Sequence, residues 1–185
     1  MLSARTNAHY HRLSGLPHQT DNTSLLALFT MSFKALSLYK KLGNRLFSMA
    51  FCLNAPYFIT IFPYVEELDV GKAVVSMKHR KWTSNHLGTQ HAIACCNLVE
   101  MTMGCVVEAS IPEHLRWIPR GMNVKYLAKA TGKLTATSEI DADTTFTLDR
   151  YPGSIVIPVS VKDRAGKEVV TADIELYVSV KSNTK

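Results

Sequence analysis

The stretch Asn85-His86-Leu87-Gly88-Thr89-Gln90-His91-Ala92-Ile93-Ala94, running on as Cys95-Cys96-Asn97-Leu98-Val99-Glu100-Met101-Thr102-Met103-Gly104-Cys105-Val106-Val107-Glu108, decides the fold. Its polar, glycine-bearing front reads as a loop. From Ala92 onward it reads as a helix apolar nearly all round, and such a helix has to be wrapped by other elements. Pro112 cannot continue it, which predicts an end near Ser110. One carboxylate, Glu100, stands inside the apolar run.

The wrapping has to come from strands. Lys72 to Trp82 alternates apolar and polar residues with a period of two. After the helix, the same alternation appears in Gly121–Ala128, Lys133–Asp141, Ser154–Lys162 and Val169–Val180. The last of these offers six alternating apolar positions, from Val170 to Val180, which predicts a long strand with one buried face. Asp163-Arg164-Ala165-Gly166-Lys167 reads as a hairpin turn. Pro158 predicts an edge or a bulge in its strand. Val65-Glu66-Glu67-Leu68-Asp69-Val70-Gly71 reads as a turn. The expected order is helix, strand, long buried helix and then a four-strand meander. This is an α+β fold, with one antiparallel sheet curled around one helix.

Ahead of this core, Ser32 to Phe51 reads as an amphipathic helix. Phe33, Leu36, Tyr39, Leu42 and Phe47 lie on one side, Lys34, Lys40, Lys41 and Arg45 on the other, and Gly43 is a weak spot. It is expected to pack on the domain edge; the alternative is a helix lying on a membrane surface. Residues 1–30 form a separate extension. They carry Arg5, Arg12, His9, His11 and His18 against a single acid, Asp21, a composition that fits a transit peptide or an over-called start before Met31. Residues 31–185 are expected to be one domain.

Bulk numbers bound the rest. The 185 residues are 46% hydrophobic and 19% charged, which permits a real core. The net charge of +6 is spread along the chain without a basic block, so a nucleic-acid partner is not expected. No run reaches the roughly 18 to 20 apolar residues of a membrane span, and no stable membrane anchor is expected. Cys52, Cys95, Cys96 and Cys105 lack metal-type spacing and read as small apolar residues in a reducing, cytoplasmic setting. His79, His86 and His91 lack matched further ligands, so no metal site is expected.

The element order resembles the hotdog fold of thioesterases and acyl-CoA hydratases. Asn85, His91 six residues later and Glu100 nine after that resemble the Asn-x5-His-Gly-x8-Asp/Glu segment of the acyl-CoA thioesterase branch. Asn85-His-Leu-Gly-Thr-Gln-His-Ala, together with Arg120-Gly-Met-Asn-Val-Lys-Tyr-Leu, most resembles a bacterial subfamily of uncharacterised, thioesterase-like hotdog proteins of the DUF4442 type. The likeness runs from about Ala50 to Val180. Ala92 replaces the usual glycine, Glu100 stands where many relatives have Asp, and Pro119 falls where some carry Ser or Thr. A hydratase is disfavoured, because no Asp lies between Asp69 and Asp141. The resemblance implies hydrolysis of an acyl-CoA or related thioester, without a cofactor, by a homodimer that could pair into a tetramer. The alternative is a non-catalytic module that binds acyl groups or lipid.

Thioester hydrolysis needs donors aimed at the oxygen that gains charge and a base or nucleophile at the carbonyl carbon. The leading amides of the central helix have no partners within it and lie at the positive end of its dipole. The Ala92 amide, with that of His91, is the candidate donor. Gly88 lets the loop approach a ligand, with Thr89 beside it, and Asn85 either orients a water or holds the loop. Glu100 is the candidate base or nucleophile; apolar neighbours are expected to raise its pKa. The competing reading pairs Glu100 with Arg116 or Arg120. Arg116, Arg120 and Lys125 are candidate contacts for the phosphates of coenzyme A. Tyr57, Phe58, Ile61, Phe62, Trp82 and Trp117 either line an acyl tunnel or pack the core. Ala92 and Glu100 stand eight residues apart, about 12 Å along a helix axis. One carbonyl cannot reach both, so a site using both has to be shared between two antiparallel copies of the helix.

Overall fold

The apolar helix forms where its sequence requires. In the computed structural model, which describes residues 35–147 and 150–181, it spans Ala92–Ser110 and is called α2 below, after the N-terminal helix α1 at Ala35–Asn54. Leu98, Val99, Met101, Met103, Val106 and Val107 are fully buried. Buried Thr102 satisfies its hydroxyl by donating to the Leu98 carbonyl at 2.7 Å. By length and composition α2 does qualify as a membrane-crossing helix, contrary to the expectation from the sequence; the sheet that covers it accounts for its composition instead. Residues 1–30 lie outside the described residues, which belong to one compact unit, Ser32–Lys185.

The sheet has six antiparallel strands: β1 (Tyr64–Asp69), β2 (Lys72–Met77), β3 (Leu115–Tyr126), β4 (Leu134–Glu139), β5 (Gly153–Lys162) and β6 (Glu168–Val180). A short helix, α3 (Ala142–Thr145), joins β4 towards β5. The order across the sheet is β1-β2-β4-β5-β6-β3. The inward residues Val170, Ile174, Leu176 and Val178 of β6 are buried, and each large one contributes about 1.5–3 kcal/mol of burial. A one-residue slip would turn all of them to solvent, which fixes the register. This is the hotdog architecture, a sheet curled around one helix.

Three expectations need correction. Residues 65–71 are not a simple turn: β1 occupies Tyr64–Asp69, and only Val70 and Gly71 turn the chain. A bulge at Glu66 lets Val65 and Leu68 both face inward at a spacing of three, which hides the period of two. β3 begins at Leu115 rather than Gly121 for the same reason. A bulge between Pro119 and Gly121 shifts the parity from Leu115 and Trp117 to Val124. The four later strands are not one meander, because β3 lies at the far edge against β6 while β2 pairs with β4. Pro158 sits in an inner strand, yet the β4–β5 ladder stops at Ser160, so its missing N–H falls beyond the pairing.

α1 packs against β1, with a break at Gly43, whose φ of +69° suits glycine. Its polar side chains close the outer edge of β1. Asn44 Nδ2 donates to the Val65 and Glu66 carbonyls (2.9 and 2.6 Å), and the Val65 amide donates to Ser48 Oγ at 2.9 Å. β3, at the opposite edge, has no strand partner beyond β6 among the described residues.

Candidate active site

Asn85 builds the loop that leads into α2. Its Oδ1 accepts from the amides of Leu87 (2.9 Å) and Thr89 (3.2 Å), and its Nδ2 donates to Thr89 Oγ1 at 2.9 Å. The Asn85 amide donates to the Thr89 carbonyl, also at 2.9 Å. These contacts describe the loop-holding role. Gly88 closes the turn with a φ of +72° and leaves open space where a side chain would stand.

His91 caps the helix, its Nδ1 accepting from the Ile93 amide at 3.1 Å. Its own amide donates to the Thr83 carbonyl at 2.7 Å, so the expectation that this amide joins an anion hole is corrected. The Ala92 amide, at the first helical position, has no acceptor among the described residues, and Ala92 is exposed. Tyr126 Oη lies 3.4 Å from the Ala92 carbonyl and 3.1 Å from Cys96 Sγ. Burial, then the Cys96 contact, pushes its phenol well up, which keeps it a protonated donor beside the helix start.

Two clefts follow one stripe of α2. The first, of about 350 Å³, lies at the helix start between Tyr57, Thr60, Trp82, His91, Ile93 and Asn97. Buried Asn97 donates through Nδ2 to Thr60 Oγ1 at 2.9 Å, and Thr60 Oγ1 donates in turn to the Tyr57 carbonyl at 2.8 Å. That sequence of donors fixes the amide orientation and leaves Asn97 Oδ1 without a partner. The second cleft, of about 410 Å³, has Glu100, Gly104 and Glu108 along its floor. Phe51 and Phe58 form one wall, Trp117 and Pro119 the other, with Lys181 at the rim.

Glu100 is half-buried, and no hydrogen bond or ion pair engages it among the described residues. Leu98, Val99, Met101 and Met103 are fully buried on other faces of α2, while Glu100 looks into the cleft. Glu108 is the more desolvated acid. Trp117 Nε1 donates to its Oε1 at 2.7 Å, and burial raises its pKa against the lowering effects of that bond and of Lys181. Reading the sequence singled out Glu100 and missed Glu108 and Lys181. The spacing of 100, 104 and 108 was the available signal, since residues four apart share a helix face.

The basic candidates are not brought to Glu100 within one chain. Arg116 Nε donates to Ser179 Oγ at 3.2 Å; Arg120 lies 3.9 Å from Glu175 and over the ring of Tyr177. Both lie on the outer face of the sheet with Lys125, whose register partner is Thr171, away from α2. The proposed pairing of Glu100 with either arginine is thereby corrected. Of the aromatic candidates, Phe58 and Trp117 line the Glu100 cleft, and Tyr57, Ile61 and Trp82 line the other. Phe62 packs against Trp82 with the rings tilted at 58°, and Arg80 lies over both. Cys52 and Cys95 are buried thiols pushed up by desolvation to about 11 and about 12, which leaves them inert. No three His, Cys, Asp or Glu gather as a metal site among the described residues.

The family described as "domain of unknown function (DUF4442)" matches residues 43–178. The chain belongs to the DUF4442 family. This DUF4442 protein shares 39% identity with a structural-genomics protein of known structure (TM-score 0.71), over 81% of its own length and 99% of the other. At lower identity the fold alone is shared. A probable thioesterase from Pseudomonas aeruginosa aligns at 17% identity and TM-score 0.66, covering 72% of this chain and 93% of the other. A thioesterase family protein from Silicibacter pomeroyi aligns at 14% and 0.59, covering 81% and 98%. No curated protein matches the chain. The DUF4442 protein therefore shares its hotdog fold with proteins named as thioesterases.

Proposed function

We propose that this DUF4442 protein hydrolyses an acyl thioester of coenzyme A or a related carrier, in a site shared between the two subunits of a homodimer. The observation that carries the reading is the unengaged Glu100 carboxylate on the floor of an aromatic-walled cleft. A carboxylate with no partner, facing a space wide enough for an acyl group, is placed to activate a water or attack a carbonyl. The Ala92 amide, free and at the positive end of α2, supports the other requirement, a donor for the developing oxyanion. These groups are about 12 Å apart on one helix, so one thioester uses Glu100 of one subunit and Ala92 of the other. The unpaired edge of β3 supports pairing between subunits.

Glu100→Gln should lower kcat for acyl-CoA hydrolysis by about 10² to 10⁴. Ala92→Pro should lower it by about 10² to 10³, because proline deletes the N–H yet fits the first helical position. Extended His91 already suits a following proline. Each variant alone is inactive, but mixing them with subunit exchange restores one intact site in the mixed dimer. Thiol release should then recover to about a quarter of the unmodified rate. No recovery, despite mixed dimers seen by mass spectrometry, sinks the shared site. No thiol release by the unmodified protein across acyl-CoAs sinks the hydrolase reading.

A further inference from the structure

Glu100, Gly104 and Glu108 stand on one face of α2 and floor one cleft, with a carboxylate at each end and a glycine between. A Cβ placed on Gly104 would meet Phe51 Cζ at 3.8 Å and Trp117 Cη2 at 4.0 Å. Two rings from opposite walls therefore flank this glycine, and the space between them is a gate on the path from Glu100 to Glu108. Beyond the gate, Glu108 ends the apolar path. Its carboxyl is fixed by Trp117 Nε1 at 2.7 Å and lies near Lys181. An alkyl end pushed against it would strip water from a polar group without replacing its hydrogen bonds.

We propose that Gly104 and Glu108 set the length of the acyl chain, making the protein selective for medium-chain acyl thioesters. The inference rests on the hydrolase reading above. With the thioester carbonyl at Glu100, the tail runs along α2 towards Glu108, about 12 Å away. An extended chain advances about 1.2 Å per bond, so roughly ten bonds fit before the tail meets the second carboxylate. Up to that length each methylene buried between Phe51, Phe58 and Trp117 should strengthen binding about four-fold. Past it the gain stops. Gly104 acts as the gauge and Glu108 as the stop.

The test measures kcat/KM for a straight-chain acyl-CoA series from butanoyl to hexadecanoyl. In parallel, calorimetry measures affinity for the matching S-alkyl-CoA thioethers, which cannot be hydrolysed. In the unmodified protein both quantities rise to about the decanoyl length and then level off. Gly104→Ala, which makes only ordinary contacts, and Gly104→Val should progressively lower the decanoyl-to-butanoyl ratio, by about ten-fold or more for valine. Glu108→Ala should move the plateau to longer chains. Melting curves confirm that each variant is folded. An unchanged ratio in folded Gly104→Ala and Gly104→Val, or an unmoved plateau in folded Glu108→Ala, overturns the inference. Because the thioethers report without turnover, a protein that hydrolyses nothing but sorts them by length defeats the hydrolase reading and leaves the gauge standing. A protein that hydrolyses every length alike does the reverse, and one that binds no thioether defeats both.

Discussion

Glu108 shows what burial does to a single charge. Desolvation raises its pKa from the ordinary 4.5, so the folded state holds the proton more tightly than the unfolded chain does. The stability this brings is fully present below pH 4.5 and is lost as pH rises through the folded value. Glu108→Gln keeps an acceptor for Trp117 but carries no charge. The melting temperature of the variant relative to the unmodified protein should therefore climb as pH is raised from 4 towards 7, and a flat difference would refute the assignment. Asn97 offers a second test. Thr60→Val leaves Asn97 Nδ2 unpaired as well as its Oδ1 and should cost about 1–3 kcal/mol in urea denaturation. Adding Asn97→Leu should recover most of that loss, since both partners are then apolar. Additive losses would mean that the Asn97–Thr60 bond does not couple the two positions.

α2 was legible in the sequence as a long apolar run, and β2, β4, β5 and β6 by their alternation. The two that were misread, β1 and the first half of β3, each contain a bulge, and a bulge places inward residues where strict alternation predicts outward ones. The site divides in the same way. Glu100 and Ala92 belong to a local pattern on one helix and its leading loop. Glu108 and Lys181 meet only because β6 runs antiparallel to β3 and ends near the last turn of α2, a long-range placement that no local spacing carries. α1 gives the prediction at this scale. Ser48→Ala strands the amide of fully buried Val65 and should cost about 1–3 kcal/mol. Hydrogen exchange should show it as lost protection at Val65, and unchanged protection there would count against the edge contact.

At the scale of the whole molecule the sheet has unequal sides. One edge is capped at Val65 and Glu66 by Asn44 and Ser48, and the other, β3, is long and unpaired among the described residues. The proposed pair should sediment at twice the chain mass of 20.6 kDa. Met122→Lys on β3 should shift it towards the single chain, since a charge on the open edge strand opposes strand-to-strand joining. A single-chain mass for the unmodified protein at micromolar concentration would argue against the shared site.

The sealed edge also limits growth. Strand-to-strand joining uses up an open flank from each participant, and a molecule with one open flank has nothing left to offer after its first encounter. Two open flanks would allow each newcomer to present a fresh template, and the same hydrogen bonds that close a pair would run on as a fibre. If the proposed pair joins through β3, then Asn44 and Ser48, which cover β1 at Val65 and Glu66, leave it no second open flank through which to grow.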